Sequence, residues 1–146
     1  VRDGVAGEEQ AVVKETPPFM RWNSAFLEAP GPFEERPLQG FYYITLPDPS
    51  WPKKEQEEYI MQKGILLSTT VHEVYPGHFL QGQWERRAPT TVQAAFGSYS
   101  FVEGWAHYIE QMMIEEGFGG LAIYHQVGDC IGVHLISIIF LAESGR

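Results

Sequence analysis

A chain of 146 residues that is 44% hydrophobic and 14% aromatic holds enough apolar material for one domain with a real core, and too much for a disordered tail. Its formal net charge of −9 argues against nucleic acid as a partner, because a phosphate backbone needs a basic stripe. The single Cys130 excludes an internal disulfide framework and offers no zinc-thiolate motif.

The first residues are charged and lack an apolar core, so nothing near Val1 reads as a secretory signal. The chain opens on Val1 rather than methionine and stops at Arg146 directly after an apolar run, which reads as an excerpt of a larger protein. The compartment is open on these grounds, with the cytoplasm as default. Glu8 to Lys14 reads as the tail of an earlier element. Between residues 15 and 40 lie five of the ten prolines, Pro17, Pro18, Pro30, Pro32 and Pro37. Proline biases its preceding neighbour toward extended backbone, so this segment is expected to be a loop-rich arm without a long helix.

Phe41 to Leu46 is rich in β-branched and aromatic residues and is bounded by Gly40 and Pro47, which predicts a short strand. Ser50 is placed to cap a helix that starts near Pro52, with Glu55 in its acidic first turn. Apolar residues from Tyr59 through Ile60, Leu67 and Val71 keep close to helical spacing, so one long helix from Lys53 is expected to deliver His72 near its end. Phe79, Leu80 and Trp84 predict helix again until Ala88-Pro89. The clearest helix spans Tyr99 to Glu116, with Phe101, Trp105, Tyr108, Ile109, Met112 and Met113 as its expected apolar side and Gly117 as its stop. Leu121 to Ala142 is strongly apolar but interrupted, and its unbroken run is shorter than the about 20 residues of a membrane span, so it reads as a buried core helix. The expected architecture is mainly α, a single partial domain over 1–146. It divides into an extended arm with a short strand (1–52), the helices of a metal site (53–120) and an apolar tail helix (121–146).

The chemistry is concentrated in His72-Glu73-Val74-Tyr75-Pro76-Gly77-His78, followed some thirty residues later by Glu103. Two imidazoles flanking a carboxylate, with a second carboxylate in a later helix, are the components of a mononuclear zinc hydrolase. On a continuous helix, histidines six apart are rotated by about 240° and separated by about 9 Å. They cannot share one zinc at roughly 2.0–2.1 Å that way. Pro76 and Gly77 between them supply a kink that swings His78 back toward His72. Glu103, His107 and Glu110 stand at i, i+4 and i+7 and share a helix face, so helical spacing makes either Glu103 or His107 a third ligand. Two neutral imidazoles and one carboxylate would leave a zinc site at about +1, suited to activating water, which favours Glu103. For a helix taken alone the three would more simply be a solvated stripe. His107, Glu110 and Tyr75 are candidates for supporting the ligands or meeting substrate, with Glu110 as an acceptor for a ligand histidine. His125 and His134 lack a carboxylate at helical spacing and read as core or surface residues.

Several of these segments resemble one family, the bacterial proteins grouped as domain of unknown function 885. The resemblance rests on Glu15-Thr16-Pro17-Pro18-Phe19, Pro30-Gly31-Pro32-Phe33, Tyr42-Tyr43 and Pro47-Asp48-Pro49-Ser50-Trp51-Pro52. It continues through His72-Glu73-Val74-Tyr75-Pro76-Gly77-His78, Val102-Glu103-Gly104-Trp105-Ala106 and Glu110-Gln111-Met112-Met113. It implies a mostly helical, metallopeptidase-like fold similar to the carboxypeptidase Taq family, and a parent several times longer than this chain. By motif it implies His72, His78 and Glu103 as metal ligands and Glu73 as general base. After Gly120 the chain departs from the pattern, where a more basic helix is expected. A later segment with a tyrosine and a glycine that complete the site is missing.

The expected function is hydrolysis of a peptide or small amide by a zinc-activated water with Glu73 as base, with no nucleic-acid or membrane partner. An esterase or amidase acting on a small molecule and a metal-stabilised scaffold without turnover are the rival readings. The strand Phe41 to Leu46 is a candidate for aligning a peptide by edge pairing, or for covering the core.

Overall fold

The computed structural model describes residues 10–34, 39–59 and 63–119. The expected tail helix over 121–146, with His125 and His134, lies outside them. The fold is mixed but helix-rich, and it carries three strands where the sequence reading expects one. Strand β1 spans Ala11–Glu15, β2 spans Ala25–Glu28 and β3 spans Gly40–Ile44. They form one sheet in the order β1-β3-β2, with β1 parallel and β2 antiparallel to β3.

The loop-rich arm is therefore organised by the strand that follows it. Val12 and Val13 pair with Phe41 and Tyr42, so the described part of the segment read as the tail of an earlier element belongs to a strand. Pro17 and Pro18 stop β1 and give a single turn of 3₁₀ helix at Pro18–Met20. Side chains on the sheet match across strands, with Phe26 stacked on Tyr43 at 5.0 Å between ring centroids and the Lys14 ammonium 3.7 Å from the centre of Phe41. The central strand contributes Tyr42, almost fully buried, to a core with Ala25, Ile44, Tyr59, Ile65 and Val74.

Helix α1 (Lys53–Glu58) and helix α2 (Lys63–Glu73) are separate, where one continuous helix was expected. The reason is local. Lys-Lys-Glu-Gln-Glu-Glu has no apolar face to bury, and Tyr59 leaves the helix with extended backbone to join the core, its ring edge-on to Trp51 at 5.4 Å. Ser50 does not cap α1: its backbone N–H is bound by Asp48 Oδ1 at 2.8 Å, and Pro52 occupies the capping position. Helix α3 runs His78–Glu85, and a short helix α4, Thr91–Ala95, is capped by Thr90 Oγ1 accepting from the Gln93 N–H at 3.2 Å.

Helix α5 (Tyr99–Glu115) ends as expected before Gly117, whose φ of +82° is the left-handed conformation that glycine adopts freely. Its inward face matches expectation at Ile109 and differs at Phe101 and Tyr108. Ala106 and Ile109 are buried, whereas Phe101 and Tyr108 are 62% and 59% exposed. The Glu103, His107 and Glu110 side faces α2 and is largely covered, so it is not a solvated stripe. Sheet and helices are joined where Phe79 of α3 lies on Gly40, at which an added Cβ would fall 2.5 Å from the phenyl ring. Among the described residues no helix is long and apolar enough to cross a membrane.

Candidate metal centre

His72 sits in the last turn of α2 and His78 is the first residue of α3. The expected break between them is a full junction of two helices. The Tyr75–Pro76 peptide is cis, and the Gly77 N–H reaches back to the Val71 carbonyl at 3.1 Å. Gly77 serves by its lack of a side chain rather than by positive φ. Its φ is −74°, and a Cβ there would lie 1.8 Å from the His72 carbonyl oxygen. The close approach folds α3 back onto α2 and leaves the two imidazole rings 4.7 Å apart, nearly perpendicular.

Helix α5 packs against both, and Glu103 reaches between the histidines. One carboxylate oxygen is 3.6 Å from His72 Nε2 and the other 3.8 Å from His78 Nε2. A tetrahedral zinc with ligands at about 2.1 Å separates its donor atoms by about 3.4 Å, so both contacts are close to the spacing a metal requires, and the three donor atoms all lie within 4.8 Å of one another. A second set that could hold a metal, His72, His107 and Glu110, shares His72 with the first. In it Glu110 Oε1 lies at hydrogen-bond distance from two ring nitrogens, 2.7 Å from His72 Nδ1 and 3.0 Å from His107 Nδ1. The other carboxylate oxygen of Glu110 accepts from the Ser68 hydroxyl. Those three contacts engage both carboxylate oxygens and leave His72 Nε2 facing Glu103, the arrangement in which a carboxylate orients a histidine from behind.

The electrostatics divide the histidines. Burial pushes the His78 pKa down and nearby His72 adds to this, so His78 is a neutral imidazole, the form a metal needs. Burial also opposes charge on His72, but the Glu110 carboxylate at Nδ1 outweighs it and raises the pKa. Burial likewise pushes Glu110 up, yet hydrogen bonds from His107, His72 and Ser68 hold it at about 2. His78 Nδ1 and Gln81 Oε1, one helical turn apart, are both buried without a hydrogen bond of normal geometry. A proton on His78 Nδ1 would match that carbonyl and leave Nε2 free as a ligand atom.

Glu73 projects from the same turn as His72, and burial raises its pKa, with His72 and the nearby Leu27 backbone N–H pulling the other way. Together with His78 and Glu103 it lines an open cleft of about 330 Å³ between β2, α3 and α5. Tyr75 is turned elsewhere, its hydroxyl accepting from Gln83 Nε2 at 3.2 Å and its ring edge-on to Phe79. The sequence reading missed Gln81, Ser68 and the Leu27 amide. Ser68 stands one turn before His72 and Gln81 one turn after His78, a spacing that could have found both. The Leu27 contact comes from a distant strand and has no local signal.

Two solved structures are similar to this chain. One is titled a "putative lipoprotein of unknown function" from Shewanella oneidensis, 34% identical over 75% of this chain and 19% of that protein, with a TM-score of 0.57. The other, a "putative lipoprotein" from Colwellia psychrerythraea, is 23% identical over 90% of this chain and 21% of that one, with a TM-score of 0.62, and speaks to the fold alone. This chain thus spans about a fifth of the length of either. No curated protein matches it. The model of one bacterial family matches residues 2–130, and the chain belongs to that family, described as "Bacterial protein of unknown function (DUF885)".

Proposed function

We propose that this chain forms the metal-binding part of a zinc-dependent hydrolase, metallopeptidase-like in its chemistry, with His72, His78 and Glu103 as ligands and Glu73 as general base. The observation that carries the reading is the convergence of His72 Nε2, His78 Nε2 and the Glu103 carboxylate at 3.6 and 3.8 Å beside an open cleft. A bound zinc would lower the pKa of water toward neutrality and polarise a carbonyl. Three protein ligands leave one tetrahedral position for water, as hydrolytic sites do and closed structural sites do not. The cleft thus favours turnover over a scaffold.

Glu73 borders the cleft without belonging to the ligand triangle. Its pKa, raised by burial, suits a group that accepts a proton from the attacking water and returns it to the leaving amine. His72 is held with Nε2 forward by Glu110, and His107 shares that carboxylate from the other side. Peptides or small amides are the proposed substrates. The two solved relatives are called lipoproteins, which sits poorly with a cytoplasmic default, and no compartment is proposed.

The test is Glu73→Gln in zinc-loaded protein, with metal content and cleavage of a fluorogenic peptide library measured together. Zinc stays bound and cleavage falls by at least about 100-fold. Undiminished cleavage removes Glu73 from the mechanism.

A further inference from the structure

The strand expected to align a peptide, Phe41 to Leu46, cannot do so, because β3 is the central strand with a partner on each side. The outer edge belongs to β2. Thr45 N–H donates to the Ser24 carbonyl at 2.8 Å, and the register pairs Ala25 with Ile44 and Leu27 with Tyr42. Bonded and non-bonded pairs alternate along an antiparallel ladder. Ser24, Phe26 and Glu28 therefore turn their backbone groups toward β3, and Ala25 and Leu27 turn theirs away from it. Among the described residues no strand pairs with that side of β2. The cleft begins there, running from Leu27 and Ala29 past Gly82 to Glu73, His78 and Glu103.

We propose that this cleft takes an extended peptide that adds to the outer edge of β2, donating a main-chain N–H to the Leu27 carbonyl. The proposal rests on the hydrolase reading above and names its substrate class. Edge addition draws affinity from the main chain and so tolerates many side chains. Leu27 and Glu73 line the same cleft, so a peptide paired with the outer edge of β2 passes the general base. Glu73, Glu85 and Glu103 line the cleft and, among the described residues, neither lysine nor arginine does, so neutral or basic peptides fit better than a free C-terminal carboxylate.

The test is calorimetric titration of the zinc-loaded full chain. Acetohydroxamic acid reads the metal alone. Lysine-containing tripeptide hydroxamates, with the peptide running from either side of the chelating group, read the edge. One of the tripeptides binds about tenfold tighter than acetohydroxamic acid or better, and methylation of its main-chain amides removes the gain. Gly82→Leu also removes it while zinc content and acetohydroxamate affinity hold, since a Cβ at Gly82 meets nothing within 4 Å and the added side chain fills the cleft. If the methylated tripeptides bind as tightly as their parents, or Gly82→Leu keeps the full gain, edge pairing is overturned and the metal reading stands. If the chain takes up no zinc and acetohydroxamic acid does not bind, both fall.

Discussion

The indole Nε1 of Trp105 donates to the carbonyl oxygen of Pro76 at 3.1 Å. The helix that carries Glu103 thereby holds the junction that turns His78 back toward His72, and the carriers of all three proposed ligands are tied at one point. Trp105→Phe keeps most of the ring and removes the donor, leaving the Pro76 carbonyl without this partner. It should cost about 1 kcal/mol of stability and weaken zinc binding several-fold. Competition with a chromogenic chelator and urea unfolding check both. Unchanged affinity in the variant would mean that the junction holds its shape without α5.

Gly77→Ala asks for a Cβ 1.8 Å from the His72 carbonyl oxygen and 2.4 Å from that of Val71, both backbone atoms that cannot step aside. The helix junction must open. A loss of roughly 3 kcal/mol or more is expected, together with loss of metal, although the residue touches no ligand atom. Equal stability of Gly77→Ala and the parent, by urea unfolding, would contradict the packing described for the junction.

The buried carboxylate of Glu110 gives metal-free protein a pH signature. With a folded pKa held at about 2, below the ordinary carboxylate value, Glu110 contributes stability above the ordinary range that is lost as pH falls toward 2. His72 has the opposite sign. Its pKa is raised, so its contribution is complete below the ordinary value of 6.5 and is lost as pH rises through the folded one. Urea unfolding in the presence of a chelator should show greatest stability between these limits, and Glu110→Gln should flatten both arms. Identical pH profiles for parent and variant would show that the Glu110–His72 pair adds nothing to folding.

Much of the candidate centre was legible because it is local. The His72 to His78 spacing, Pro76 and Gly77 pointed to a break, and the structure has a junction there. Glu103 and Glu110 shared a helix face by simple periodicity. The inward face of α5 was misread in part, with Ile109 buried as expected but Phe101 and Tyr108 exposed, because periodicity finds a face without saying which one is buried. Carboxylates and imidazoles went inside there because they partner one another. Strands β1 and β2 were invisible for another reason. Ala-Val-Val-Lys-Glu and Ala-Phe-Leu-Glu are short, and they become strands by pairing with Tyr42 and its neighbours, far off in sequence.

The most direct test of the central claim is zinc K-edge X-ray absorption on protein loaded with one equivalent of zinc, comparing the parent with Glu103→Ala and His107→Leu. Helical spacing alone left Glu103 and His107 as rivals, whereas the geometry sets the Glu103 carboxylate between His72 Nε2 and His78 Nε2 and His107 behind Glu110. The account predicts two imidazoles and light oxygen ligands at about 2.0–2.1 Å, retained in His107→Leu and lost with the bound zinc in Glu103→Ala. A third imidazole in the parent spectrum, with zinc lost from His107→Leu and kept by Glu103→Ala, would contradict it.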